Sequence, residues 1–178
     1  MHTSPDSSFA SLGLDSRLCR MVQDLGWTEP SPIQRSSIPV ALKGQDVIGI
    51  AETGSGKTGA FLLPIIQDWA KAGHPTGFAL LLVPTRELVK QLSDEAIRLG
   101  RSDSDEADTE PSVRVVQLVG GEDMVDQALQ LAWHRHHMII GKRKRSAEFR
   151  GKGIQSVANQ IIKCLQLKTL HDAISNLT

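Results

Sequence analysis

The chain has 178 residues, 40% of them hydrophobic and 22% charged, and its formal net charge is zero. This composition excludes a wholly disordered chain, a fibre and a uniformly basic or acidic protein, and leaves a globular domain large enough for its own core. No apolar run approaches the roughly 18 residues of a membrane helix, the longest obvious one being FALLLVP at 78–84, so no membrane contact is expected.

Residues 1–8 are polar and read as disordered, and the N-terminus lacks the basic start and apolar block of a signal peptide. LDSRLCRMVQDLG (14–26) places Leu14, Leu18, Met21, Val22 and Leu25 near helical spacing, with Asp15 or Ser16 as N-cap and Gly26 as the stop. A proline-rich turn, WTEPSPIQ (27–34), leads into a second short helix ending at Gly44. DVIGIA (46–51) reads as a short strand, and residues 53–73 open in glycine and continue as a helix. FALLLVP is apolar on both sides, as in a strand buried in a parallel sheet. TRELVKQLSDEAIRLG (85–100) is an amphipathic helix, and 101–112 an acidic surface loop. Strand (113–121), helix (121–136) and strand (137–141) follow. Alternating strands and helices imply a parallel α/β sheet flanked by helices.

From Lys142 onward there are eight Lys/Arg against two acids, leaving twelve against eighteen in residues 1–141. A basic tail on an acidic body suits a nucleic-acid contact or a localisation signal, and KRKR (142–145) resembles a short nuclear signal as well as a solvated turn. Within the tail Ile154, Val157, Ala158, Ile161, Ile162 and Leu165 form an amphipathic helical stripe. Cys19 and Cys164 are too few for a disulfide framework or a zinc site, so a reducing compartment is the default. His134, His136 and His137 cluster, but no Cys or acid stands nearby at ligand spacing, which argues against a metal.

AETGSGKT (51–58) carries the chemistry. A glycine-rich turn opening a helix is an anion site, because the first helical N–H groups lack partners and the dipole is positive there. Gly54 and Gly56 permit positive φ and close approach of a phosphate. Lys57 then reaches the β- and γ-phosphates, and Thr58 ligates Mg²⁺. The pattern GxxxxGK[ST] is met with Ala51 in place of the first glycine. Upstream, Trp27 offers a face for a base, and Gln34 an amide whose donor and acceptor match the N7/N6 edge of adenine. Taken alone, a tryptophan such as Trp27 is more often a core residue and a glutamine such as Gln34 more often a surface one.

These residues together resemble the first RecA-like domain of a DEAD-box RNA helicase. Phe9 matches the aromatic upstream of the Q motif, and Gly26, Trp27, Pro30, Ile33 and Gln34 match that motif, with Trp where Phe or Tyr is commoner. AETGSGKT matches motif I, PTRELVKQ (84–91) motif Ia, and Gly120–Gly121 the GG element. The run from Gly26 to Phe61 is most similar to the nuclear subgroup that processes pre-ribosomal RNA. The resemblance implies a RecA-like P-loop sheet with ATP and Mg²⁺ as cofactors. Phe9, Trp27 and Gln34 would form the adenine pocket, and Ala51, Thr53, Gly54, Ser55, Gly56, Lys57 and Thr58 would hold phosphates and metal. Pro84, Thr85, Arg86, Gly120 and Gly121 would contact the RNA sugar-phosphate backbone without regard to sequence. For Thr85 and Arg86 the residues themselves agree, since a helix start after a strand suits a phosphate; an ion pair of Arg86 with Glu87 or another acid is the other reading. A nuclear, nucleolar location is implied, with cytoplasm the alternative, and no protein partner is indicated.

After MIIG (138–141) the family pattern would continue with Thr-Pro-Gly-Arg, Asp-Glu-Ala-Asp and Ser-Ala-Thr elements and a second RecA-like domain, and none occurs in 142–178. The expected organisation is therefore a disordered 1–8, a truncated ATP-binding domain over 9–141 and a divergent basic tail with a helix over 142–178. The departure reads as a frame change, an alternative exon or an error in the gene model. Hydrolysis needs Mg²⁺ held from two sides and an arginine worth roughly 10³–10⁵ in rate, so Lys57 and Thr58 alone imply a chain that neither hydrolyses ATP nor unwinds RNA. A non-catalytic ATP- or RNA-binding fragment is the rival reading. A P-loop kinase is a third, disfavoured by the Trp27–Gln34 element and PTREL.

Overall fold

The computed structural model describes residues 8–101, 111–121, 123–133 and 136–142. These fall in two compact units, 8–68 and 69–142. The expected disordered N-terminus, acidic loop and basic tail with its helical stripe lie outside the described residues, apart from their edges.

In the first unit, a 3-10 turn, Ala10–Leu12, precedes α1 (Ser16–Asp24) and α2 (Pro32–Leu42). Asp15 is the N-cap of α1, its side chain accepting from the Leu18 N–H at 2.8 Å and so satisfying one of the orphan amides of the first turn. Gly26 ends that segment with φ +77°, a value that suits glycine. Helix α3 (Lys57–Lys71) opens on the glycine–lysine loop. Leu18, Val22, Ile38, Leu62, Leu63 and Ile66 are 0–1% exposed. The 3-10 turn is tied to α3 by Gln67, whose Oε1 accepts from the Asp15 N–H at 2.7 Å and whose Nε2 donates to the Gly13 carbonyl at 3.0 Å.

Residues 46–51, expected as a strand, form no helix and pair with no strand among the described residues. Ile48 and Ile50 are 80% and 61% exposed. An apolar, β-branched run makes a strand only where a neighbour completes its hydrogen bonds.

The second unit is a parallel sheet of β1 (Ala79–Val83), β2 (Val115–Leu118) and β3 (Met138–Lys142) in the order β1–β3–β2. Helix α4 (Arg86–Leu99) joins β1 to β2, and α5 (Met124–Trp133) joins β2 to β3. The register pairs Leu80 and Val116 with Ile139, and Leu82 and Leu118 with Gly141, so these six positions share one face. Ala128 and Leu131 of α5 pack there against Val116, Leu118 and Ile139. Helix α4 contacts all three strands. The two crossovers run in opposite directions across the sheet, so the usual right hand puts α4 on the face opposite α5.

Below the N-terminal ends of the strands lies a buried histidine cluster. His137, 2% exposed, stands 4.5 Å from the Trp69 ring, as does His74. The Arg114 N–H donates to His137 Nδ1 at 3.1 Å, and the Arg114 guanidinium lies 3.2 Å from Nε2. Desolvation foremost, then the charge of Arg114 and of His74 and His136, brings the His137 pKa down to about 4. A second ring proton, on Nδ1, would also face the Arg114 N–H that now donates to it. Since an unfolded histidine titrates near 6.5, protonation favours the unfolded chain: the contribution is whole above pH 6.5 and is lost as pH falls toward about 4. The expected loss is on the order of 1–3 kcal/mol. Urea unfolding midpoints from pH 7 to 4.5 check it: the wild type declines, and His137→Leu, less stable at pH 7, converges on it as the pH drops.

Candidate functional site

Two groups of residues emerge, one in each unit. In the first, the ring centroids of Phe9 and Trp27 are 6.3 Å apart. Gln34, 4% exposed, lies one turn into α2. Its Oε1 accepts from the Ser31 N–H at 2.9 Å, the reciprocal arm of a capping box. Its Nε2 donates to the Gly56 carbonyl at 3.0 Å. A primary amide offers two N–H groups and two oxygen lone pairs, so one donor and one acceptor of Gln34 remain.

This approach is possible because two positions lack a side chain. A Cβ on Gly56 would fall 2.8 Å from Gln34 Nε2 and 2.9 Å from Ser31 Oγ. One on Gly59 would fall 2.6 Å from the Trp27 ring and 2.8 Å from Gln34 Nε2. Trp27 and Gln34 thus lie against the glycine loop and the first turn of α3. Gly54 and Gly56 have φ of +81° and +87°. Lys57 turns inward, Nζ donating to the Ala51 carbonyl at 2.6 Å and to that of Glu52. Thr53 and Gly54 are exposed, while Ala51, Ser55, Gly56, Lys57 and Thr58 are half-buried. The hydroxyl of Ser55 is buried without a hydrogen-bond partner among the described residues.

In the second unit, Thr85 is the N-cap of α4, its Oγ1 accepting from the Leu88 N–H at 3.2 Å. Pro84, Thr85 and Arg86 are exposed. The Arg86 guanidinium lies on Gly121, where a Cβ would meet both terminal nitrogens at 2.9 Å; at Gly120 the same test gives 3.8 Å. Gly121 has φ +90°, a conformation that calls for glycine, whereas the Arg86 guanidinium is the end of a flexible side chain and would shift away from an added Cβ. Arg86 forms no ion pair among the described residues. The Glu87 carboxyl is held below its usual range by its own backbone N–H, then by the Thr85 hydroxyl, with Arg86 a lesser influence.

Sequence reasoning missed Ser31, Gly59 and Gln127. Gln127, 2% exposed, donates from Nε2 to the Val119 carbonyl at 2.8 Å and so fixes the residue before Gly120–Gly121. No local signal marks it, since a glutamine in an amphipathic helix reads as surface. Among the described residues no group of three or more His, Cys, Asp and Glu is placed to hold a metal, and no helix is long and apolar enough to cross a membrane.

Fold and loop define a parallel α/β protein with a helix opening on a glycine–lysine turn. Residues 31–167 match the family described as DEAD/DEAH box helicase, and the chain belongs to that family. It is 46% identical over 133 residues to the ATP-dependent rRNA helicase rrp3 of Aspergillus niger, covering 75% of this chain and 26% of that protein. It is 48% identical over 134 residues to the ATP-dependent RNA helicase DDX47 of Drosophila melanogaster, covering 75% of this chain and 24% of that one. The chain thus spans about a quarter of the length of these relatives. Among solved structures, a DEAD box protein from Methanococcus jannaschii aligns with TM-score 0.66 and 25% identity, over 83% of this chain and 38% of that one. The DEAD-box helicase Mss116 bound to ssRNA and UDP-BeF aligns with TM-score 0.67 and 23% identity, over 86% and 31%, a likeness of fold.

Replacing Gln127 with leucine leaves the buried Val119 carbonyl without its donor. The same change removes the buried Gln127 Oε1, which has no hydrogen-bond partner among the described residues, so the expected net cost is about 1 kcal/mol, read as a lower urea midpoint at unchanged denaturant slope.

Proposed function

We propose that this chain is the ATP-binding and RNA-backbone-binding portion, residues 9–141, of an ATP-dependent RNA helicase of ribosomal RNA processing, with a divergent tail over 142–178. The observation that carries the reading is the placement of Gln34 and Trp27 against Gly56 and Gly59, with one donor and one acceptor of the Gln34 amide unspent. That pair suits the N6/N7 edge of adenine, and Trp27 with Phe9 supplies an apolar wall for its ring. In this reading the Q motif is the stretch from Gly26 to Gln34.

The triphosphate would lie over Thr53–Thr58, on the unpaired amides that open α3. Lys57 would leave the carbonyls of Ala51 and Glu52, two neutral acceptors, for phosphate oxygens, whose charge makes stronger bonds. The buried hydroxyl of Ser55 supplies a further donor. Toward Mg²⁺ the chain offers the Thr58 hydroxyl, one neutral ligand, so the other ligands would be phosphate and water oxygens. The metal's chemistry is neutralisation of phosphate charge.

Arg86, Thr85 and the amides that open α4 would take an RNA phosphate, with Pro84, Gly120 and Gly121 shaping the approach. Such contacts position a strand and read no sequence. Support comes from the Mss116 neighbour, bound to ssRNA and a nucleotide analogue, and from relatives named rRNA helicases; the latter also favour a nucleolar site of action. Because residues 142–178 contain no Asp-Glu-Ala-Asp box, binding rather than turnover is assigned to these 178 residues. A non-catalytic ATP- and RNA-binding isoform remains the second reading on the same ground.

Equilibrium titration with ATP and GTP tests the proposal. Lys57→Ala is expected to weaken ATP binding about ten- to a hundredfold, and Gln34→Ala to abolish the preference for ATP over GTP. Arg86→Ala should weaken single-stranded RNA equally for unrelated sequences and lower the salt slope by about one contact. Equal affinity for both nucleotides in the wild type would remove the adenine assignment. ATP hydrolysis by the chain that disappears in Lys57→Ala would overturn the assignment of binding alone.

A further inference from the structure

Gly59, in the first turn of α3, is buried, and its backbone does not call for glycine. It is not among the glycines of positive φ, unlike Gly54 and Gly56. Glycine is moreover a poor helix former beside alanine. What the position needs is room. A Cβ there would fall 2.6 and 2.9 Å from Cζ3 and Cη2 of Trp27, and 2.8 Å from Gln34 Nε2, closer than a Cβ packs against either.

Neither neighbour gives way without consequence. The Gln34 amide is held between the Ser31 N–H and the Gly56 carbonyl, so a shift of Nε2 loosens a hydrogen bond. The indole is a rigid plane on two torsions, so relief at its edge swings the whole ring. Trp27 is half-buried, and its exposed side takes the swing. Cζ3 and Cη2 lie on the outer edge of the indole, which extends farther from the backbone than a phenyl ring does. The large side chain at 27 and the missing one at 59 are therefore matched in size. The two groups that meet at Gly59 are also the two that would face adenine, one as wall and one as hydrogen-bonding edge.

We propose that Gly59 is a positioning residue of the nucleotide site: by carrying no side chain it seats the Trp27 indole against α3, beside the Gln34 amide, and so sets the affinity for the base. This rests on the adenine reading of Trp27 and Gln34. The role concerns the base alone, since the phosphates would lie over Thr53–Thr58.

Equilibrium titration of the full chain with Mg²⁺–ATP and with Mg²⁺–tripolyphosphate, which carries no base, tests it. Gly59→Ala is expected to weaken ATP about fivefold and to leave tripolyphosphate unchanged, which also shows that the variant is folded. Trp27→Phe, whose shorter ring leaves Gly59 uncovered, is expected to weaken ATP on its own. Combined with Gly59→Ala it should instead restore ATP affinity to within about twofold of the wild type. Unchanged ATP affinity in Gly59→Ala, equal losses for ATP and tripolyphosphate, or losses that multiply in the double variant would overturn the role of Gly59. A wild type that binds ATP and GTP alike would remove the adenine reading and this proposal with it. A wild type that prefers ATP, with Gly59→Ala unaltered, would remove this proposal alone.

Discussion

Three buried glutamines hold the loops on which everything else in this protein depends. Gln34, Gln67 and Gln127 are 4%, 1% and 2% exposed. Each donates its side-chain N–H to a loop carbonyl, of Gly56, Gly13 and Val119 respectively, at 2.8–3.0 Å. A buried loop carbonyl without a partner would cost a kcal/mol or more. An amide meets that need without the desolvation penalty of a buried charge. It also has no titration near neutrality, so these ties are indifferent to pH, unlike the His137–Arg114 contact.

Where the amides act, glycines make room for them. Gly56 lets Gln34 and Ser31 close on the loop, Gly59 admits Trp27 to the first turn of α3, and Gly121 admits the Arg86 guanidinium. In each case the missing side chain serves a contact across the fold. Gly54 differs: no atom stands within 4 Å of its would-be Cβ, and its need is the positive φ alone. The loop 51–58 therefore uses glycine in two ways, one for conformation and one for fit.

That distinction explains how much of the molecule was legible in its sequence. Elements with a strong period were readable to within a residue or two: α4 was expected over 85–100 and runs Arg86–Leu99, and β3 was expected over 137–141 and runs Met138–Lys142. The parallel sheet followed from their alternation. Residues 46–51 were misread as a strand because the pattern of a strand is local and its existence is not; a neighbour must supply half the hydrogen bonds. The glycine–lysine loop was readable because its residues work on one another. Gly59, Ser31 and Gln127 were not, because each acts on a residue distant in sequence or on a carbonyl that no side-chain pattern records.

The second group is built on similar ties. The Arg86 side chain leaves the first position of α4, a helix whose entry Thr85 caps. It rests on Gly121, and the strand leading into Gly121 is pinned through Val119 by Gln127. The Arg86 side chain stays exposed there, so its guanidinium is open to an anion. It also has no carboxylate partner to exchange among the described residues. Both features favour a phosphate, and neither distinguishes one base from another, because nothing in the group is aimed at a base edge. If these residues meet RNA as proposed, indifference to sequence is a consequence of how Arg86 is seated, before any property of the nucleic acid enters.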